Sequence, residues 1–117
     1  MTQRKVTALA KLTSLKITTM NAIAELEMRA EAAADAGDTA AETQHINTAI
    51  ALAQQSVLIR KAEDEIRAGM SLTTAIDQLD DISRDGRTTL KNLRKAADAL
   101  EHATTLLTIL ARLSALL

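Results

Sequence analysis
The chain contains no cysteine, proline, phenylalanine, tyrosine or tryptophan, and only three glycines in 117 residues. Each absence closes off a class of structure or chemistry. Without cysteine there are no disulfides, thiolate nucleophiles or zinc–thiolate sites. Without proline nothing forces a helix to stop, so only the three glycines can punctuate long helices. Without aromatic rings the core must come from Leu, Ile, Val, Met and Ala. Such side chains suit close helix–helix packing. They do not suit a deep pocket around a flat cofactor or a platform for stacked bases. No apolar run reaches the roughly 18–20 residues of a membrane span. None follows the N-terminal Arg4 and Lys5 as a signal peptide requires, so a cytoplasmic chain is expected. Charge of one sign is also missing: 14 basic against 15 acidic residues leave a net charge of −1, with no overall pull toward nucleic acid or membrane.

What remains is strongly helical. Hydrophobic residues make up 47% of the chain, enough to fold as one domain over residues 1–117. Gly37 and Gly69 read as helix stops, followed by Thr39 and Ser71 as N-caps; Thr39 and Glu42 have capping-box spacing. The expected helices cover about residues 3–35, 40–67 and 71–116. In the second, Ile46, Ile50, Ala53 and Val57 form one stripe, widened by Ala49, Leu52, Ile59, Ala62 and Ile66.

The third expected helix carries a heptad seam. Counting in sevens gives Leu72, Leu79, Gly86, Leu93, Leu100, Leu107 and Ser114, partnered by Ala75, Ile82, Thr89, Ala96, Ala103, Leu110 and Leu117. Asp85-Gly86 is a turn signal, but the apolar phase is the same on both sides of it. The expectation is therefore an all-α antiparallel bundle of three long helices, the third longest and overhanging, with Gly86 a point of close packing. The alternative is a four-helix bundle broken at Gly86.

Two regions have more apolar surface than one neighbour covers. On the first helix Val6, Leu9, Ile17, Met20, Ala24 and Met28 form one face. Leu12, Leu15, Ile23 and Leu26 form a second, and Arg4, Lys11, Thr18, Glu25 and Arg29 a wet strip. At the C-terminal end Leu106, Leu107, Ile109, Leu110, Leu113, Leu116 and Leu117 make the helix apolar nearly all round. The second face of the first helix and this C-terminal end are the expected partner or oligomer interface. The partner is the chain itself or another helical protein.

Candidate chemistry is sparse. Glu42 and His45 have the Glu-x-x-His spacing of di-metal bundles, but only one copy is present, with Glu31 as a conceivable third ligand. Asp98 and His102 share a helix face, which places a carboxylate beside an imidazole. Arg84, Arg87, Lys91, Arg94 and Lys95 form a basic stripe that Asp77, Asp80 and Asp81 largely offset. The basic first turns place Lys5 and Lys16 beside an apolar face instead of opposite it, which argues against lying on a membrane surface. No catalytic constellation, cofactor motif or small-molecule substrate is indicated. The expected function is a non-enzymatic, homo-oligomeric interaction module. The alternatives are a secretion-system or phage assembly subunit, or its small chaperone, and a metal-binding bundle using Glu42 and His45.

Overall fold
The computed structural model describes residues 2–117, and every regular element in them is helical. Helix α1 spans Gln3–Asp35, α2 Thr39–Gln55, α3 Val57–Arg67, α4 Ala75–Lys95 and α5 Leu100–Ala111, and a 3-10 segment follows at Arg112–Leu116. Helices α2 and α3 form one rod interrupted at Ser56, whose hydroxyl donates to the Ala53 carbonyl at 2.6 Å. The chain thus makes four rods. At 33 residues α1 reaches about 50 Å at 1.5 Å per residue, and it sets the 52 Å long dimension of a body 22 by 20 Å across.

Local chemistry explains the ends. Thr2 caps α1 by accepting from the Lys5 amide. Gly37 and Gly69 adopt φ of 76° and 106°, the left-handed conformation that ends a helix at little cost to glycine. The cap of α2 is Asp38, one residue before the expected Thr39; its carboxylate accepts from the Ala41 amide at 3.0 Å. Ser71 caps nothing, because α4 begins at Ala75.

The expected third helix is two helices. It does run through Gly86, which lies inside α4, but it ends at Lys95 and resumes at Leu100. Ala96 turns to an extended backbone, with ψ of 144°. Two side chains hold the elbow. Arg29 of α1 donates to the carbonyls of Leu93, Arg94 and Ala97 at 3.0 to 3.4 Å, satisfying acceptors that α4 leaves open. Asp98 accepts from the Leu100 amide at 3.0 Å and starts α5.

The heptad hid this break because the count of sevens runs on through it while the buried stripe changes phase. In α4 the seam residues Leu79, Gly86 and Leu93 are buried. In α5 the seven-residue row in the core is Ala99, Leu106 and Leu113, one residue out of step, while Leu100 and Leu107 lie on its flank. Leu106 and Leu107 hide a shift of one residue, which shows in the pattern at Ser114, a polar residue on the counted row beside the buried Leu113.

Each rod touches two neighbours. α1 packs on α2–α3 and on α4, and α5 packs on α4 and on α2. Ion pairs and hydrogen bonds give the directions. Lys11 meets Asp80, Ser14 meets Arg87 and Arg29 meets Leu93, so α1 and α4 run the same way. Arg112 meets Asp85 at 2.8 Å, so α5 runs back along α4. α4 sits on the strip of α1 expected to be wet. Thr18 is buried there, and small residues Ser83, Gly86 and Thr89 on α4 permit the close approach. A Cβ at Gly86 would stand 3.0 Å from Leu15 Cδ1 and 3.9 Å from Leu106 Cδ1, so close packing at this glycine is real.

The overhang also belongs to a different part of the chain. α4 ends level with Arg29, and no residue from Glu31 to Thr48 is fully buried. The projecting part is therefore the tip of the α1–α2 hairpin, and not the end of a long third helix.

Candidate interaction face
The core takes most of the residues expected at an interface. Leu12, Leu15, Leu26, Leu106, Ile109, Leu110 and Leu113 are buried inside the chain. Ile23, Leu107 and Leu116 pack against that core, and only Leu117 is exposed. The physical reason is the elbow: once α5 folds back as a fourth rod, a helix apolar all round has neighbours to cover it. The second face of α1 is likewise internal, since α1 has two partner rods instead of one.

The apolar surface left outside is the other face of α1 together with the Ile46 stripe of α2–α3. Ile17, Met20, Met28, Ile46, Ile50 and Val57 are 41 to 62% exposed. Four of them share one groove. Met20 and Val57, with Ile23 behind them, line a hollow of about 610 Å³ between α1 and α3. Ile46, Ile50 and Ala53 line the next hollow along the same groove, again with Ile23. A third, bordered by Glu27, Glu31 and Glu42, continues toward the hairpin tip. One shallow groove thus runs along the α1–α2 rod pair, on the side away from α4 and α5. Contiguous exposed apolar surface of this kind marks binding faces on folded proteins.

Charge is unevenly placed along the groove. Near its α3 end Lys16 and Arg67 flank Glu63, a nearly buried carboxylate, at 3.2 and 3.6 Å. Arg60 lines the same hollow. At the other end stand three carboxylates and no cation. Among the described residues, Glu27, Glu31, Glu42, Arg60 and Lys61 make no ion pair.

The candidate chemical groups come apart. His45 turns back on its own helix, its Nδ1 2.6 Å from the Ala41 carbonyl oxygen, and no three of His, Asp and Glu stand close enough to hold a metal among the described residues. Asp98 lies in the elbow and bonds the Leu100 amide, so it does not face His102 from the preceding helical turn. In the basic stripe Arg84 pairs with Asp80 and Asp81, and Arg87 bonds Ser14 and Ser83. Asp80 has its carboxyl held below the usual value, first by the hydrogen bond from Lys11 and then by the charge of Lys11. No described helix is long and apolar enough to cross a membrane.

No family model, curated protein or solved structure matches the chain.

The exposed stripe was visible in the sequence as one part of a broad apolar face. One signal separates the two stripes of the second rod. Extended by its own period, Leu52–Ile59–Ile66 stays apolar, whereas Ile46–Ile50–Ala53–Val57 runs into Arg60 and Asp64. A stripe that turns charged within a turn is a surface stripe with an apolar centre.

Proposed function
We propose that this chain is a non-enzymatic protein-interaction module, built as a bundle of four rods, whose working surface is the outward face of α1 and α2–α3. One observation carries the reading: six large aliphatic side chains stay half exposed on α1 and α2–α3, and four of them, Met20, Ile46, Ile50 and Val57, line one groove, although the chain fully or partly buries every other isoleucine and every leucine but Leu117. Exposed aliphatic surface costs solubility, and a groove of this length is the form in which helices accept other helices. The driving force is removal of that surface from water, at roughly 25 cal/mol per Å² before the costs of association.

The test replaces Met20 and Ile50 by glutamate. Both side chains are exposed, so the fold should survive, as judged by circular dichroism and melting temperature. The native mass of the protein in extracts of the cells that make it should exceed one chain for the wild type and fall to one chain for the variant. Monomer mass for both would sink the reading.

A further inference from the structure
We infer that the occupant of this face is a second copy of the chain, related by a two-fold axis perpendicular to α1 and α2. In that arrangement α1 lies antiparallel on α1 of the other copy, and α2–α3 on α2–α3. The inference rests on the interaction-module reading and adds the identity and orientation of the partner.

The first support is charge. Residues 24–47, the tip half of the hairpin, hold Glu25, Glu27, Glu31, Asp35, Asp38 and Glu42 against the single cation Arg29. Arg29 is already engaged with Glu25 and the end of α4. Residues 2–23 and 48–67 hold seven cations against Glu63, Asp64 and Glu65. The rod pair is therefore acidic at one end and basic at the other, with the apolar groove between. Two copies turned end for end set acid against base at both ends. A two-fold axis parallel to the rods would instead set Glu27 and Glu31 beside Glu42 of the other copy, like against like, which disfavours it.

The second support is register. The stripe Ile46, Ile50, Ala53, Val57 has spacings of four, three and four, so it reads the same in both directions about the Ala51–Leu52 bond. Turning one copy about that point places Ile46 on Val57 and Ile50 on Ala53. It also places Glu42 on Lys61, two charges that have no ion-pair partner among the described residues of one chain. On α1 the level beside this point lies near residues 22 and 23, given that Ile23 shares a hollow with Ile50 and Ala53. Ile17 and Met28 are equidistant from it and meet each other across the axis. Isologous contact of this kind closes after two copies, so a face that would otherwise aggregate gives a finite dimer.

The chain has no cysteine, so introduced thiols report the geometry without background. Sedimentation equilibrium of the purified wild type should give a dimer, and the Met20→Glu, Ile50→Glu variant a folded monomer. Mixed chains carrying Ile17→Cys and Met28→Cys should form a disulfide-linked pair under mild oxidation. Ile17→Cys alone should not, because the two thiols then sit about 16 Å apart along the helix axis. Glu42→Lys should weaken association at least tenfold, and adding Lys61→Glu to the same chain should restore it. A wild type that stays monomeric at all concentrations overturns the inference. So does cross-linking of Ile17→Cys with Val57→Cys in place of Met28→Cys, the mark of a parallel pair. If the purified chain is monomeric while the cellular species is larger and is lost in the glutamate variant, the module reading stands and the second copy falls. If both are monomeric, both fall.

Discussion

Gly86 lies against Leu15: a methyl group added at the glycine would sit 3.0 Å from Leu15 Cδ1, and Leu15 is itself 1% exposed. Alanine at position 86 gains about 1 kcal/mol in helix propensity. Overpacking an enclosed leucine costs about 1–3 kcal/mol, so Gly86→Ala should be destabilising by about 1 kcal/mol, roughly 4 °C in Tm. In a Leu15→Val background the clash is relieved and the same substitution should become stabilising. A double-mutant cycle by denaturant unfolding measures the coupling, and simple additivity would contradict the contact.

Arg29→Met should remove three hydrogen bonds from the end of α4 and lower stability by about 1–2 kcal/mol. Arg29→Lys should recover less than half of that, because an ammonium cannot fork across several carbonyls. Hydrogen exchange should show faster opening of the last turn of α4 in Arg29→Met, with α2 unaffected.

Interior and exterior leucine-type residues should separate sharply. Leu113→Glu places an unpaired charge at a fully enclosed site and should unfold the chain, at a cost above about 4 kcal/mol. Ile50→Glu should change the stability of the single chain, compared at dilution where both proteins are monomeric, by less than about 0.5 kcal/mol. Chemical denaturation of the two variants checks both expectations.

The Lys11–Asp80 pair sets a pH dependence. The folded state holds the Asp80 carboxyl below its usual value, so its contribution is fully present at neutral pH and is lost as pH falls through the lowered value. Wild type should be more stable than Lys11→Met at neutral pH, and the two should converge in acid once Asp80 is protonated. Circular dichroism melts across an acid titration at low and high salt check the sign.

The helices were legible in the sequence because glycine spacing and aliphatic periodicity are local. Gly37 and Gly69 end helices where expected, and α1 has the bounds that its pattern gave. The elbow at residues 96–99 was not legible. It is set by Arg29, more than sixty residues away, and by a one-residue change of phase that the count of sevens does not register. The burial of the residues expected at an interface was not legible for the same reason. Leu12 and Leu113 had excess apolar neighbours only as long as α5 was counted as part of one long helix. The stripe from Ile46 to Val57 was identified as a stripe, and its exposure follows from the position of α5, which no local pattern encodes.

A core made of leucine, isoleucine and alanine presents nearly the same surface one helical turn further along, so two such rods can slide by about 5.4 Å with little loss of contact. Arg29 and Gly86 remove that freedom. A slip of one turn would carry the guanidinium away from the open carbonyls at the end of α4 and onto carbonyls already bonded within a helix, and would drive a side chain of α4 into Leu15. One polar fork and one missing methyl thus index α4 against α1, and they supply the uniqueness that aromatic side chains give to other cores.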